Sequence, residues 1–468
     1  MITLLIICLI RALFFKPKAK AARKPEAVEF DREKAVNDLR ELIRIKTVSY
    51  NDVADEDAAE FEKLRLKLRE LFPEIHKATT LERIPPKGLL YRWKGKSDKQ
   101  PTVLMAHYDV VPADESRWTR PAFEGIIEGE VLWGRGTLDT KGTLNGIFQA
   151  AEKLVKEGFV PENDIYFAFA GDEETAGESA PNIVSELERR GIKPALVVDE
   201  GGAVVEKVFP GVKERCAVIG IAEKGITNIR YTVLSNGGHA STPPRHTPVG
   251  VLSAACSKVE NNPFPARLSA PALKMFDALG RHSTFVYRLI FANLWLFKPL
   301  LAAMGAKSGG EMNALMRTTC AFTMMEGSDV YNVIPAKATM TSNLRIISGE
   351  TIESTVEYLK KVIDDENVKI EVINGSEPSV VSSTDCEGYA KLTETVSEVF
   401  PDAIVAPYLM IACSDSRHYG RISDKVYRFS AMAMSSEERK MVHGNDERIT
   451  FRGIWEAVEF YIRLIKKC

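Results

Sequence analysis

The segment Ile165-Tyr166-Phe167-Ala168-Phe169-Ala170-Gly171-Asp172-Glu173-Glu174-Thr175 reads in two halves. Its first six residues are apolar or aromatic. A run that short, closed by a glycine, predicts a strand covered on both faces. Three acidic residues follow at once. In an ordinary loop they would simply be solvated, but at the end of a buried strand they repel one another unless a cation is present. Successive side chains there point in different directions. One glutamate can therefore bind a metal while its neighbour reaches a bound water, which is the division of labour a metal hydrolase requires.

Working outward, residues 102–106 form a second short apolar run ending at His107, and residues 195–198 form a third ending at Asp199 and Glu200. Residues 141–156 and 180–190 carry helical periodicity between them. Upstream, Asp31 opens an amphipathic helix through 42, and a second helix covers 57–71. Helices alternating with short apolar strands predict an α/β sheet with helices on both faces. The pattern changes after Lys224. Residues 227–234 and 337–346 alternate as half-buried strands, 249–260 and 353–364 are helical, and 368–372 is a strand. This predicts a smaller α+β domain, residues 224–372, inserted into the first. The stretch 262–313 inside it reads as irregular. Its aromatic part, 285–297, is either a lipid-facing or substrate-facing surface or a helix pair packed on the inserted domain. The α/β pattern then resumes with a helix near 388–400, strands near Ile404 and Val426, and a helix over 454–466. The larger domain is thus expected to comprise 30–223 and 373–468.

The chain has 468 residues, beyond the size at which one core usually keeps growing. Its 62 basic and 64 acidic residues leave a net charge of -2, without the basic excess of a general nucleic-acid binder. None of its seven cysteines forms a C-x-x-C pair, which argues against a disulfide scaffold and a thiolate zinc site. Any metal must therefore be held by histidine and carboxylates. Residues 1–29 differ in kind: 2–15 are nearly all apolar, broken by Arg11, and a basic run follows at Lys16, Lys18, Lys20, Arg23 and Lys24. As a helix the apolar part spans about 21 Å, short of the ~30 Å hydrocarbon core. Three readings stay open: a short membrane anchor with its basic flank on the cytoplasmic side, an atypical signal sequence, or a dispensable tail. Membrane association or a cytoplasmic location is expected ahead of secretion.

Four further segments carry chemistry-bearing residues near strand ends, where ligands bind in open α/β sheets. In Ala106-His107-Tyr108-Asp109, His107 can ligate a metal while Asp109 holds its other ring N–H. In Gly134-Arg135-Gly136-Thr137-Leu138-Asp139-Thr140-Lys141-Gly142, Asp139 stands just before a helix and could equally be its cap. Val197-Val198-Asp199-Glu200-Gly201-Gly202 ends a strand in two carboxylates, and Val442-His443-Gly444-Asn445-Asp446-Glu447-Arg448 supplies a second histidine. Two imidazoles among carboxylates suit zinc, with cobalt or manganese as substitutes.

In order, these segments resemble the di-zinc metallopeptidases and aminoacylases, a family including carboxypeptidase S, glutamate carboxypeptidase, aminoacylase and succinyl-diaminopimelate desuccinylase. The likeness runs from about Phe30 to Lys466 and is closest to the carboxypeptidase S branch, which also includes an N-acyl amino acid synthase/hydrolase. It implies two zinc ions per subunit. His107 and Asp199 would hold one, with Glu200 the nearest competitor to Asp199. Glu174 and His443 would hold the other, and Asp139 would bridge them. Glu173 matches the general base and Asp109 the carboxylate that orients His107. Asn236-Gly237-Gly238-His239-Ala240-Ser241 resembles the lid segment whose histidine stabilises the oxyanion, arriving in many relatives from the partner of a dimer. Asn332 and Arg345 match residues that hold a substrate carboxylate, and an Arg fork suits that bidentate contact. The sequence departs from the family at Thr140, at Ala412-Cys413 where glycines are usual, and at Asn445-Asp446. None of these removes an expected ligand, though Ala412-Cys413 bears on pocket shape. The implied activity is cleavage of an amide beside a free carboxylate, in small peptides or alternatively in N-acyl amino acids. An inactive binding module is the distant alternative.

Overall fold

The computed structural model describes residues 2–17, 26–207 and 209–468. Its centre is a mixed sheet built on the apolar runs. Strand Ser97–His107 lies parallel to Asn163–Ala170 on one side and to Leu196–Asp199 on the other. Val426–Arg428 continues the parallel order beyond Leu196–Asp199, and Cys216–Glu223 pairs with it antiparallel. Ile404–Met410 pairs parallel with Cys216–Glu223. At the opposite edge, Gly88–Trp93 and Thr79–Ile84 form an antiparallel pair on Asn163–Ala170.

Alternation along the strands shows why both faces are covered. Leu104, Ala106, Ile165, Phe167 and Phe169 join one core with helices Arg32–Ile43, Lys141–Lys156 and Phe451–Lys467. Val103, Met105, Tyr166 and Ala168 face the other way, onto Ile183, Val184 and Leu187 of helix Ser179–Arg189. Period-two alternation with apolar residues at both phases is what a doubly covered strand requires. The helix starts also follow local chemistry. Asp31 and Asp57 accept backbone N–H bonds at the heads of Arg32–Ile43 and Ala58–Leu71.

A second, four-stranded antiparallel sheet runs in the order Thr319–Glu326, Lys337–Ile346, Gly225–Leu234, Lys369–Ser376. Helices Pro248–Asn261 and Ile352–Ile363 pack on it around Tyr231, Leu252, Met340 and Leu359. Lys224, buried between the two sheets, donates its Nζ to Ala314 O at 3.0 Å and Arg317 O at 2.8 Å.

The stretch expected to be irregular is mostly helical: Ala270–Gly280, Phe285–Phe291, Leu294–Ser308 and Gly310–Met316. Its aromatic part does pair as helices, but on a different partner from the one expected. Phe276, Phe291, Leu301 and Met316 share a core with Val205, Cys216, Val218 and Leu409, so these helices pack on the far end of the central sheet. Helix Ile2–Phe14 lies against them, with Cys8 and Ala12 buried. Arg11 Nε donates to Ala292 O at 3.1 Å, and Asn293 Nδ2 donates to Cys8 O at 3.1 Å. Among the described residues no single helix is long and apolar enough to cross a membrane. The pair Phe285–Phe291 and Leu294–Lys307 meets the length and composition needed only jointly, across a 107° bend.

Candidate active site

The strand ends bring the sequence-selected residues together. His107 terminates its strand, fully buried, and Thr140 holds it there: the Thr140 hydroxyl accepts the His107 N–H at 3.0 Å and donates to His107 O at 3.0 Å. His107 Nδ1 donates to Asp109 O at 3.0 Å, with Asp109 Oδ1 3.4 Å away. The Asp109 carboxylate also accepts Ser49 Oγ at 2.8 Å and the backbone N–H groups of Glu173 and Glu174 at 3.2 and 3.1 Å. One buried carboxylate thus orients the first histidine and aims the acidic turn after Ala170.

Asp139 is no helix cap. The helix starts at Lys141, and the Asp139 carboxylate divides between the two histidines: Oδ1 lies 2.8 Å from His107 Nε2 and Oδ2 3.2 Å from His443 Nε2. His443 Nε2 also stands 2.9 Å from Glu174 Oε2. On the other side of His107 both carboxylates read from the sequence are present. Glu200 Oε1 is 3.6 Å from His107 Nε2, whereas the buried Asp199 carboxylate is engaged by the Ser416 N–H at 3.0 Å. Donor atoms of His107, Glu173 and Glu200, and again of His107, Asp139 and Glu174, fall within 4.8 Å of one another. Glu200 is thus gathered with His107 and Glu173, while Asp199 lines a small buried pocket with the same two residues and Asp415.

The electrostatics fit cations. Burial opposes charge on His107, yet its bonds to Asp109 and Asp139 outweigh this and hold its pKa well above the usual value. Bonds to Asp139 and Glu174 push His443 up to about 10. Burial works against ionising Asp139, but the two imidazoles keep it below the ordinary carboxylate range. Glu173 is driven well above that range by burial, with the charges of Asp415, Glu174 and Asp139 adding to the effect. Glu200 rises for the same reasons, burial first and then Asp139. Four carboxylates crowd two imidazoles in a half-buried space. Divalent cations relieve that repulsion, and the donor set of imidazole nitrogens and carboxylate oxygens is one that zinc accepts.

Two buried networks that the sequence reading did not single out brace this centre. Glu447 Oε1 accepts the backbone N–H groups of Gly136, Leu138 and Asp139 at 3.0, 2.8 and 3.2 Å, while Oε2 meets Arg135 Nη1 at 2.7 Å. Arg135 Nη2 donates to Gly444 O at 2.7 Å, so the loops carrying Asp139 and His443 are tied to each other. Glu223 accepts from Ser414, Ser416 and Arg428, all buried, and holds the 412–418 loop against the cavity. Glu447 stood in the 442–448 segment as a charged residue without a role of its own, and Glu223 lay outside every segment singled out in the sequence.

Asp139, Glu173, Glu200 and His443 line one cavity of about 470 Å³. Its remaining wall is largely apolar, including Leu138, Tyr408, Met410, Met432 and Met434, and Cys413 closes one side. Arg345 does not itself line the cavity but stands behind it, its Nη1 3.5 Å from Cys413 Sγ, and no ion pair engages it among the described residues. His239 and Asn332 are placed differently. They stand exposed on the second sheet's far side, where Gly238–His239 pairs with Val333–Ile334 and Ala240 N donates to Asn332 O at 2.9 Å. Neither lines the cavity. A larger cavity of about 810 Å³, between Lys193 and Lys425, contains none of these residues.

A mixed sheet with histidines and carboxylates converging at its strand ends, beside a smaller antiparallel domain, defines a metal-dependent amide hydrolase. The chain belongs to Peptidase family M20/M25/M40, whose model matches residues 103–467. It is 38% identical over 436 residues to the probable carboxypeptidase S-like 2 of Dictyostelium discoideum, covering 92% of this chain and 84% of that protein. It is 35% identical over 447 residues to the N-fatty-acyl-amino acid synthase/hydrolase PM20D1 of Xenopus tropicalis, covering 94% and 87%. The fold is that of the M20 family metallo-carboxypeptidase Sso-CP2 from Sulfolobus solfataricus, with a TM-score of 0.68, 17% identity, and 92% and 98% of the two chains covered.

Proposed function

We propose that this hydrolase holds two zinc ions and cleaves an amide next to a free carboxylate. The observation that carries the proposal is Asp139, with one oxygen on each histidine. His107 and Glu200 would hold one ion, Glu174 and His443 the other, and Asp139 would serve both. Glu200 is taken ahead of Asp199 here because its Oε1 stands 3.6 Å from His107 Nε2, and Asp199 is the alternative ligand. When bound, the metal pair supplies an activated water and polarises the scissile carbonyl. Glu173, unpaired at the cavity floor and with a raised pKa, takes a proton and returns it to the departing amine. Arg345, behind Cys413, binds the substrate carboxylate.

His239 and Asn332 serve as oxyanion and carboxylate ligands only when brought to a cavity they do not reach within this subunit. Their joint exposure supports a homodimer in which each lid serves the partner's site. Residues 30–223 and 373–468 would then form the catalytic body and the inserted segment its lid and dimerisation domain. Helix Ile2–Phe14 is proposed as a membrane-attaching segment.

Carboxypeptidase action on small peptides is the first reading of the substrate. The methionine-rich wall favours a second, hydrolysis of N-acyl amino acids with a long acyl chain, which is the substrate class in the name of the Xenopus relative. Metal-stripped protein given zinc should be tested on free-acid dipeptides, their C-terminal amides and fatty-acyl amino acids. Cleavage of the free acids but not the amides is expected. Cleavage confined to the fatty-acyl compounds would select the second reading. Equal cleavage of acids and amides would remove Arg345 as the clamp.

A further inference from the structure

The first helix and the helices of the 285–308 stretch leave one large apolar face uncovered. Inward, they are well packed: Cys8 and Ala12 are buried against the second group, Phe291 and Leu301 sit in the core, and Arg281 stacks on Phe15 at 4.5 Å. Outward, Leu5, Leu13 and Phe14 of the first helix are exposed, Phe14 by 82%. Val286, Trp295, Leu300 and Met304 are exposed beside them, Trp295 by 57% and Leu300 by 48%. Scattered single hydrophobics are normal on a surface, but here the exposed apolar side chains fall on three helices that touch one another, the concentration that marks an interaction site.

Charge identifies what covers it. Between Asp277 and Glu311 the chain has no acidic residue but carries Arg281, Arg288, Lys298 and Lys307. Before Glu26 it likewise carries Arg11, Lys16, Lys18, Lys20, Arg23 and Lys24 and no acidic residue. In a chain of net charge -2, the two segments that build the apolar face are basic, although Arg281 is paired with Asp277 and Arg11 turns inward to Ala292 O. Apolar side chains with an indole among them and lysines interspersed are the composition of a surface lying in the headgroup region of an anionic bilayer. A second copy of so basic a surface would be repelled. The geometry suits lying on the membrane better than crossing it. The first helix is anchored along its length by the Arg11 and Asn293 bonds, and the other two helices turn through 107°.

We propose that Ile2–Phe14, Phe285–Phe291 and Leu294–Ser308 form a single docking surface for anionic lipid bilayers, seated in the interface without spanning it. The proposal rests on the reading of the first helix as a membrane-attaching segment and extends it to two helices some 280 residues away. A recess of about 110 Å³ beside the catalytic cavity, lined by Met275, Leu315, Val205 and Val218 and by the Arg439–Glu311 ion pair, shares its apolar wall with the core beneath these helices.

The test is flotation of the full-length protein with vesicles of phosphatidylcholine alone or mixed with phosphatidylserine. Variants are Trp295→Asp with Leu300→Asp, Lys298→Glu with Lys307→Glu, and Leu5→Asp with Leu13→Asp. The wild type should float with the anionic vesicles, less so at high salt. The 295/300 pair should weaken binding roughly 100-fold, as expected for losing two buried apolar side chains. The lysine pair should remove the preference for phosphatidylserine. Zinc-dependent hydrolysis of a water-soluble dipeptide or short-chain N-acyl amino acid should be unchanged in all three variants. If only the 5/13 pair loses binding, the composite surface is wrong and the first helix acts alone. If the wild type stays in the soluble fraction, or the 295/300 pair lowers its oligomeric state instead, lipid is not the occupant. Loss of hydrolysis in the wild type itself would count against the catalytic reading and leave the lipid result independent.

Discussion

Asp139 sets the arithmetic of the site at the residue scale. Each of its oxygens faces one imidazole, so two ligand groups can share one carboxylate without competing for it. The neighbouring pair Asp199 and Glu200 then decides which carboxylate completes the His107 side. Glu200→Ala should lose one bound zinc and nearly all turnover, while Asp199→Asn should keep both ions, as counted by metal analysis of the purified proteins. The opposite pattern would return the ligand role to Asp199. Glu173→Ala should keep the full metal complement and lower turnover by about 10²–10⁴-fold, the contribution typical of a positioned general base. Near-normal turnover in that variant would assign the proton transfer elsewhere.

At the scale of elements, Lys224 couples the two sheets and reports on pH. Burial, reinforced by Arg345, lowers its pKa from 10.5 to about 7. Between about pH 7 and 10 the unfolded chain therefore binds a proton there that the folded protein does not, and this group's contribution to folding stability rises with pH across that window. Below about pH 7 both states are protonated and the contribution is flat. In metal-free protein His107 and His443, whose pKa values are raised, pull the other way over the same window, so the reading is differential: between about pH 7 and pH 9 the urea midpoint of Lys224→Met should fall relative to that of the wild type. A constant difference between the two across that window would place the titration on another group. Lys141, also lowered to about 7 by burial, is the first such group to examine.

Elements were legible in the sequence where periodicity was clean. Lys141–Lys156 and Lys337–Ile346 coincide with the ranges read from pattern alone. The helices between 270 and 316 were not, because Leu294–Ser308 is apolar around much of its circumference and carries an internal Pro299. Without a polar stripe there is no period to read. The edge strands Thr79–Ile84 and Gly88–Trp93 were missed for another reason: the first mixes charged and apolar residues, and its pairing comes from its neighbour across the turn. At the site, the identity of the clustered residues was legible from their position after apolar strands. The relative placement of Asp199 and Glu200 was not, since it depends on which way the chain turns after Asp199 and on a bond from Ser416, 217 residues away.

At the scale of the whole molecule, the proposed homodimer would complete each site with a residue of its partner. Glu173→Ala and His239→Ala should each be poorly active alone. Mixed and allowed to exchange subunits, they should regain activity, because a Glu173→Ala subunit still offers its His239 to a partner whose metal centre is intact. Light scattering would give the oligomeric state in the same samples. A dimer with no regain of activity would mean that His239 reaches the cavity of its own subunit by lid movement.

The tie between Arg135, Glu447 and the loop preceding Asp139 has a consequence for synthesis. Glu447 supplies the acceptor for three backbone N–H groups around Asp139, and His443 arrives on the same late segment. Helix Phe451–Lys467, which follows, packs on Lys141–Lys156 in the main core. A ribosome that has translated the first four hundred or so residues has therefore made most of the central sheet but no working centre. The growing polypeptide carries the hydrolytic residues in an inert arrangement until residues 443–467 have emerged and docked.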